Sequence, residues 1–216
     1  MRIKSVIGSG LHWISPRAAH AARRMWALRR PAPWNKAHII NYLAEVRGYR
    51  HYLELCTPTS GCRYAEIDCS KFLSCVRVMY QCPENHVPAD GLPIDYRIGG
   101  LDTSECLSIL REEAQCVDIA LIDSFHEYES SLRDLVEGFQ LISRGGTLVV
   151  HDCLPPRAEL AQPKFIPGEW CGVTYQAFID FVNNREDLEF YTVDTDYGCG
   201  IIHKQPGRMP AKPLQM

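Results

Sequence analysis

The chain has 216 residues, enough for one domain with a modest appendage. With 46% hydrophobic and 23% charged residues, it can build a core, which excludes a disordered, collagen-like or coiled-coil chain. Its net charge of −3 hides a split: residues 1–36 hold eight basic residues and no acid, leaving −11 for the rest. No apolar run approaches the roughly 20 residues of a membrane helix.

The first expected segment is this basic arm, residues 1–36, which includes Lys36. It reads either as a helix leaning on its own acidic body or as a weak contact for a membrane surface. Nucleic acid is not an expected partner, because aromatic residues do not interleave with a basic stripe. Gly8, Ser9, Gly10 and His12 break Ser5–Ile14, so the arm makes a poor signal peptide. An organelle leader would share its composition.

Ile39, Ile40, Leu43 and Val46 then repeat at helical spacing, and Gly48 marks a stop. His51–Leu55 reads as a strand, followed by the turn Thr57–Gly61 and a short helix near Tyr64–Phe72. Val76–Tyr80 and Ile94–Ile98 are two further strands, and Ser104–Gln115 is a helix. Val117–Ile122 reads as a buried strand. Tyr128, Leu132, Leu135, Phe139 and Ile142 mark an amphipathic helix that Gly145-Gly146 closes, and Thr147–His151 is the next strand. A Pro-rich loop, 154–171, precedes a helix containing Val173, Ala177, Phe178, Phe181 and Val182. Leu188–Val193 and Gly200–His203 form a hairpin, and 205–216 is a flexible tail. The domain proper is 37–204, and alternation of strands and helices predicts a Rossmann-like, doubly wound α/β sheet of about seven strands.

In such folds ligands sit at the carboxyl ends of the strands. Glu54 stands near the first strand end, ahead of a turn. Asp123 and His126 follow the buried strand, where Asp123 orients His126 as a general base, binds a ligand, or merely caps a helix. His151 and Asp152 follow the next strand as acid–base groups, metal ligands or, for His151, a satisfied interior histidine. Asp194 and Asp196 fit either a metal or a plain hairpin turn. No Gly-x-Gly-x-x-Gly or P-loop is present, which argues against NAD binding and nucleotide hydrolysis. The ten cysteines include no Cys-x-x-Cys pair, so a structural zinc site is not expected, and reduced thiols in a cytoplasmic setting are.

Glu54 with its turn, Ile122-Asp123-Ser124-Phe125-His126-Glu127-Tyr128-Glu129, Arg133-Asp134-Leu135, Gly145-Gly146 and His151-Asp152 resemble class I S-adenosylmethionine-dependent methyltransferases. Trp170–Val173 and Val193–Gly200 continue the likeness, which spans residues 38–203 and points to a small bacterial group. The resemblance implies a seven-stranded sheet with its last strand antiparallel, and S-adenosylmethionine held by Glu54, Cys56, Thr57, Gly61, Tyr80, Gln81, Asp102 and Asp123. It implies His126, Asp123 and His151 as catalytic residues, and Mg²⁺ on Asp123 and Asp152, as in related sugar- and macrolide-type enzymes. Cys56 stands where the cofactor loop usually has its first glycine, Tyr80 or Gln81 where a ribose-gripping acid is usual, and His151 where metal-binding relatives carry an acid. The expected activity is methyl transfer to a hydroxyl or amine of a small acceptor, sugar-containing molecules included, by a chain able to form a homodimer. The alternative is a degenerate fold that binds a ligand or partner without catalysis.

Overall fold

A computed structural model of the chain describes residues 34–57, 66–79, 95–98, 104–113 and 116–206. The basic arm ahead of Trp34, the turn through Gly61, residues Tyr80, Gln81 and Asp102, and the tail beyond 206 lie outside the described residues.

The first described helix, α1, spans Lys36–Arg47. Asn35 caps it: its side chain accepts from the His38 amide, and the Asn35 amide faces the His38 ring nitrogen in return. Gly48 ends it at φ 71°, a left-handed conformation that suits glycine. The charge composition assigns Lys36 to the arm, but Lys36 opens this helix and is buried.

Strands β1 (His51–Cys56), β2 (Ser74–Met79) and β3 (Asp95–Ile98) come next. The short helix expected near Tyr64–Phe72 is, among the described residues, a single 3-10 turn at Cys69–Lys71. Then follow α2 (Ser104–Glu112), β4 (Val117–Asp123), α3 (Tyr128–Leu141) and β5 (Ile142–Val150). The Pro-rich loop leads to α4 (Thr174–Val182), then β6 (Leu188–Val193) and β7 (Cys199–Lys204).

The strands form one seven-stranded sheet in the order β3-β2-β1-β4-β5-β7-β6. All neighbouring pairs are parallel except those of β7, which runs antiparallel to both β5 and β6. The strand order reverses between β1 and β4, so the carboxyl ends of these two strands border the crevice where such sheets take ligands. Cys56 and Asp123 face each other across it in register.

Both faces of the sheet are covered, as a parallel sheet requires. On one face, Leu53, Leu55, Val76, Val78, Ala120, Ile122, Leu148 and Val150 meet Leu107 and Leu110 of α2, Leu135 and Phe139 of α3, and Ala177, Phe178 and Phe181 of α4. On the other, Tyr52, Ile119, Leu121, Val149 and Ile201 meet Ile39, Ile40 and Leu43 of α1. Among the described residues, no helix is long and apolar enough to cross a membrane.

Gly145-Gly146 does not close α3 as the pattern suggests. Strand β5 starts at Ile142 and runs through both glycines, and its register against β4 shifts between Val117 and Ile119. Gly145 adopts φ 81°, and a Cβ on Gly146 would lie 2.6 Å from the Asp118 carbonyl oxygen. The pair is therefore a glycine-dependent bulge. Gly146→Ala is expected to destabilise the fold by about 2 kcal/mol through this overlap. Urea unfolding checks it: the midpoint should fall while the m-value holds.

Candidate active site

Residues from α1, β4, β5, the loops after β4 and β5, and the β6–β7 turn converge on Asp123. It is the last residue of β4 and is 3% exposed. Lys36 Nζ lies 2.7 Å from its Oδ2, and His151 Nδ1 lies 3.0 Å from its Oδ1. His151 Nδ1 is also 3.4 Å from Asp152 Oδ1, while its Nε2 faces Asp196 Oδ2 at 3.5 Å. His126 Nε2 is 3.2 Å from Asp152 Oδ2 and 4.0 Å from Asp123 Oδ1. The three predicted catalytic residues, Asp123, His126 and His151, are thus brought together, with Asp152 among them.

Local structure explains the gathering. After β4, Ser124 donates its hydroxyl to the fully buried Asp134 of α3. This gives the Arg133-Asp134-Leu135 motif a purpose: it pins the helix against the strand end. Ser131 of α3 donates to the Phe125 carbonyl and contacts Thr174 Oγ1 at 3.0 Å, and Thr174 Oγ1 faces His126 Nδ1 at 3.5 Å. The Val173 amide donates to the His126 carbonyl at 2.8 Å. Gly172 permits that approach, since a Cβ there would lie 2.1 Å from the same carbonyl oxygen.

After β5, Asp152 has φ 59°, a left-handed conformation costly for a residue with a side chain and often met at functional sites. The next two amides, of Cys153 and Leu154, donate to the carbonyls of Gly198 and Tyr197. That clamp draws in the β6–β7 turn, in which Asp196, Tyr197 and Gly198 all have positive φ. The turn delivers Asp196, whose carboxylate accepts from the Lys36 amide at 3.0 Å. Asp196 therefore serves the cluster rather than merely shaping a hairpin. Trp170 stands beside His126, with ring centroids 5.5 Å apart, and packs edge-on against Phe125 and Phe165.

The charges reinforce one another. Burial alone would raise the Asp123 carboxyl, but His151 and Lys36 outweigh it and hold the group well below the usual carboxylate range. Burial would also discharge His151, yet Asp123, Asp152 and Asp196 keep it protonated well above its ordinary value. The same balance raises Lys36, where burial is opposed by Asp123 and Asp196. Asp196, opposed by burial but bonded to His151, falls to about 2. Burial first, then the Asp152 charge, pushes the Cys171 thiol up to about 12, and burial does the same to Cys199. Neither supplies a thiolate nucleophile at neutral pH.

The predicted cofactor residues fare unevenly. Glu54 lies two residues inside the end of β1 and is buried, with Oε2 accepting from Tyr52 at 2.7 Å and Oε1 3.7 Å from Arg77 Nε. It is an interior carboxylate rather than one displayed at a strand end. Cys56 closes β1, fully buried, and Thr57 follows it half-buried. Lys36 and Arg77 are the residues that sequence reasoning missed as site components. Lys36 did carry a signal: a cation at the first helical position opposes the helix dipole, so its presence there calls for a local anion.

The expected metal would find donor atoms that already have charge partners. Asp123, His126 and Asp152 each offer one ligand atom, all within 4.8 Å of one another. Yet each oxygen of Asp123 already faces a nitrogen cation. An ion in the trio would have to share that carboxylate with both cations.

Residues 77–153, less than half of the chain, match a family described as a methyltransferase domain. No curated protein sequence matches the chain. Among solved structures, an O-methyltransferase from Bacillus cereus in complex with SAH is similar at 12% identity, over 87% of this chain and 90% of that one, with a TM-score of 0.59. Cofactor-bound Rv0187 from MTB is similar at 17% identity, over 92% and 94%, with a TM-score of 0.58. The O-methyltransferase TomG from Streptomyces achromogenes, in complex with SAM, is similar at 14% identity, over 90% and 91%, with a TM-score of 0.54. The chain has the fold of the class I S-adenosylmethionine-dependent methyltransferases.

The shifts on Asp123, Asp196 and His151 set a pH window. The lowered carboxylates stabilise the fold above their unfolded value of 3.8 and lose that contribution as pH falls through their folded values. Raised His151 stabilises fully below its unfolded value of 6.5 and loses that contribution as pH rises through its folded value. The stability gap between the natural chain and His151→Gln should therefore be widest at about pH 4 to 6.5 and narrow on both sides. Urea unfolding across pH checks it; a gap independent of pH would contradict the ion cluster.

Proposed function

We propose that the chain transfers a methyl group from S-adenosylmethionine to a hydroxyl oxygen or amine nitrogen of a small acceptor, sugar-containing molecules included. One observation carries this reading. A histidine and a carboxylate, His126 and Asp152, meet at 3.2 Å beyond the carboxyl ends of β4 and β5, beside the point where strand order reverses. The family match over 77–153 supports it, because that segment contains both residues and Asp123.

The bound cofactor supplies a methyl group made electrophilic by its positively charged sulfur. The residues proposed to hold it are Glu54, Cys56 and Thr57 on β1 and its exit, Asp123 at the crevice, and Gly61, Tyr80, Gln81 and Asp102, which lie outside the described residues. Buried Glu54, tied to Tyr52 and Arg77, acts by setting the end of β1.

His126 is the general base. Thr174 Oγ1, held by Ser131, lies beside Nδ1 of His126, and the role of base requires the tautomer in which Nδ1–H donates to that hydroxyl and Nε2 turns its lone pair to the acceptor. As the acceptor attacks the methyl carbon, its proton passes to Nε2 and the carbon–sulfur electron pair stays on sulfur. The imidazolium so formed is stabilised by Asp152 at 3.2 Å and by Asp123 at 4.0 Å. His151 is the poorer candidate: enclosed by three carboxylates, it already holds its proton at neutral pH. Trp170, with Phe125 and Phe165, offers an apolar wall on which the acceptor rests while it is aligned.

Calorimetry with S-adenosylmethionine and S-adenosylhomocysteine is the first test, and micromolar binding is expected. No binding below millimolar would shift the chain to the alternative, a fold that binds something else without catalysis. With an acceptor found by screening small hydroxylated compounds, His126→Ala should lower methyl transfer about 10²–10⁴-fold while cofactor affinity holds. Undiminished transfer in that variant would remove His126 from the role of base.

A further inference from the structure

The acidic cluster raises a question that the proposed chemistry leaves open: what cation sits in it. We infer that the Lys36 ammonium is the resident cation of this site, standing against Asp123 in place of a divalent ion, so that the cluster is complete without a metal. The inference concerns the cation alone and stands or falls independently of methyl transfer.

Three observations carry it. First, Asp123 is claimed on both oxygens, by Lys36 Nζ at 2.7 Å and by a ring nitrogen of His151 at 3.0 Å. An ion bound by Asp123 together with His126 and Asp152 would have to compete with both. Second, that same His151 nitrogen reaches Asp152 Oδ1 at 3.4 Å. The two carboxylates a metal would bridge are thus already bridged by a nitrogen of the chain itself. Third, Lys36 is held in place from its other end. Its backbone amide donates to Asp196 at 3.0 Å, and Asn35 caps the helix that it opens. Its side chain is only 6% exposed, so the ammonium is not a surface group that has drifted inward.

The chemistry is consistent. A lysine brings a single positive charge without the several waters that Mg²⁺ keeps in its octahedral shell. His151 supplies a nitrogen beside Asp123 and Asp152, where a hard divalent ion would want an oxygen. Lys36 is accordingly a positioning residue. It fixes Asp123, and through it the His126–Asp152 pair, without touching the reacting atoms.

Mn²⁺ tests this, because it accepts oxygen and imidazole ligands and its free form is counted by electron paramagnetic resonance. The full natural chain should bind Mn²⁺ no more tightly than about 1 mM. Lys36→Met and Lys36→Gln free one oxygen of Asp123, and the trio Asp123, His126 and Asp152 should then bind Mn²⁺ at least about tenfold more tightly. Adding Asp152→Asn to Lys36→Met should abolish the gain. Thermal unfolding verifies that each variant folds. The inference is overturned if the natural chain binds Mn²⁺ as tightly as Lys36→Met, or if folded Lys36→Met and Lys36→Gln bind no better than the natural chain. Should neither variant fold, the natural chain still decides: Mn²⁺ binding that Asp123→Asn removes overturns the inference, and its absence supports it.

Discussion

A carboxylate buried at the end of a strand must be neutralised, and the architecture around the site follows from that need. Asp123 lies at the bottom of the crevice with almost no access to water. Left without partners, such a charge would cost several kcal/mol. The chain answers with a lysine from the helix before the sheet and a histidine from the neighbouring strand. Both partners then need anions of their own, which the left-handed Asp152 and the β6–β7 turn supply. One buried charge thus recruits α1, β5 and the last hairpin into a single electrostatic unit. Because breaking a buried pair costs more than making it gains, the unit contributes specificity of arrangement more than raw stability.

The two histidines divide the work through their surroundings. His151 is enclosed by carboxylates and acts as a fixed cation. His126 has carboxylates on one nitrogen and a hydroxyl on the other. Identical side chains beyond the ends of two neighbouring strands thus meet different surroundings within 4 Å.

Much of this was legible in the sequence. Apolar runs and periodicity located the seven strands and the four α-helices among the described residues, but overextended the turn at Cys69–Lys71, missed the one at Ala158–Leu160 and placed Ile142 in a helix. The strand-end rule led directly to Asp123, His126, His151 and Asp152. What it could not show were partners brought from far along the chain. Lys36 and Asp196 are separated from each other by 160 positions and meet only through the fold, so composition assigned one to a basic arm and local pattern left the other open between a metal ligand and a turn residue. Gly145-Gly146 misled for a different reason: a glycine pair after a helix looks like a stop, and only the β4–β5 register shows that it is a bulge. Glu54 sat two residues too deep, a shift that periodicity cannot resolve and ladder pairing can.

The placement of Lys36 at the first turn of α1 has a consequence for processing. A protease removing the basic arm ahead of Trp34 would leave the capped helix and its lysine intact. One that cut a few bonds later, at the border which charge composition draws, would take the ammonium with it. The trimmed product would keep every strand and almost all of its core, yet carry a buried aspartate stripped of its nearest counter-charge. A trim that spares the counter-charge of Asp123 must therefore fall on the upstream side of Asn35.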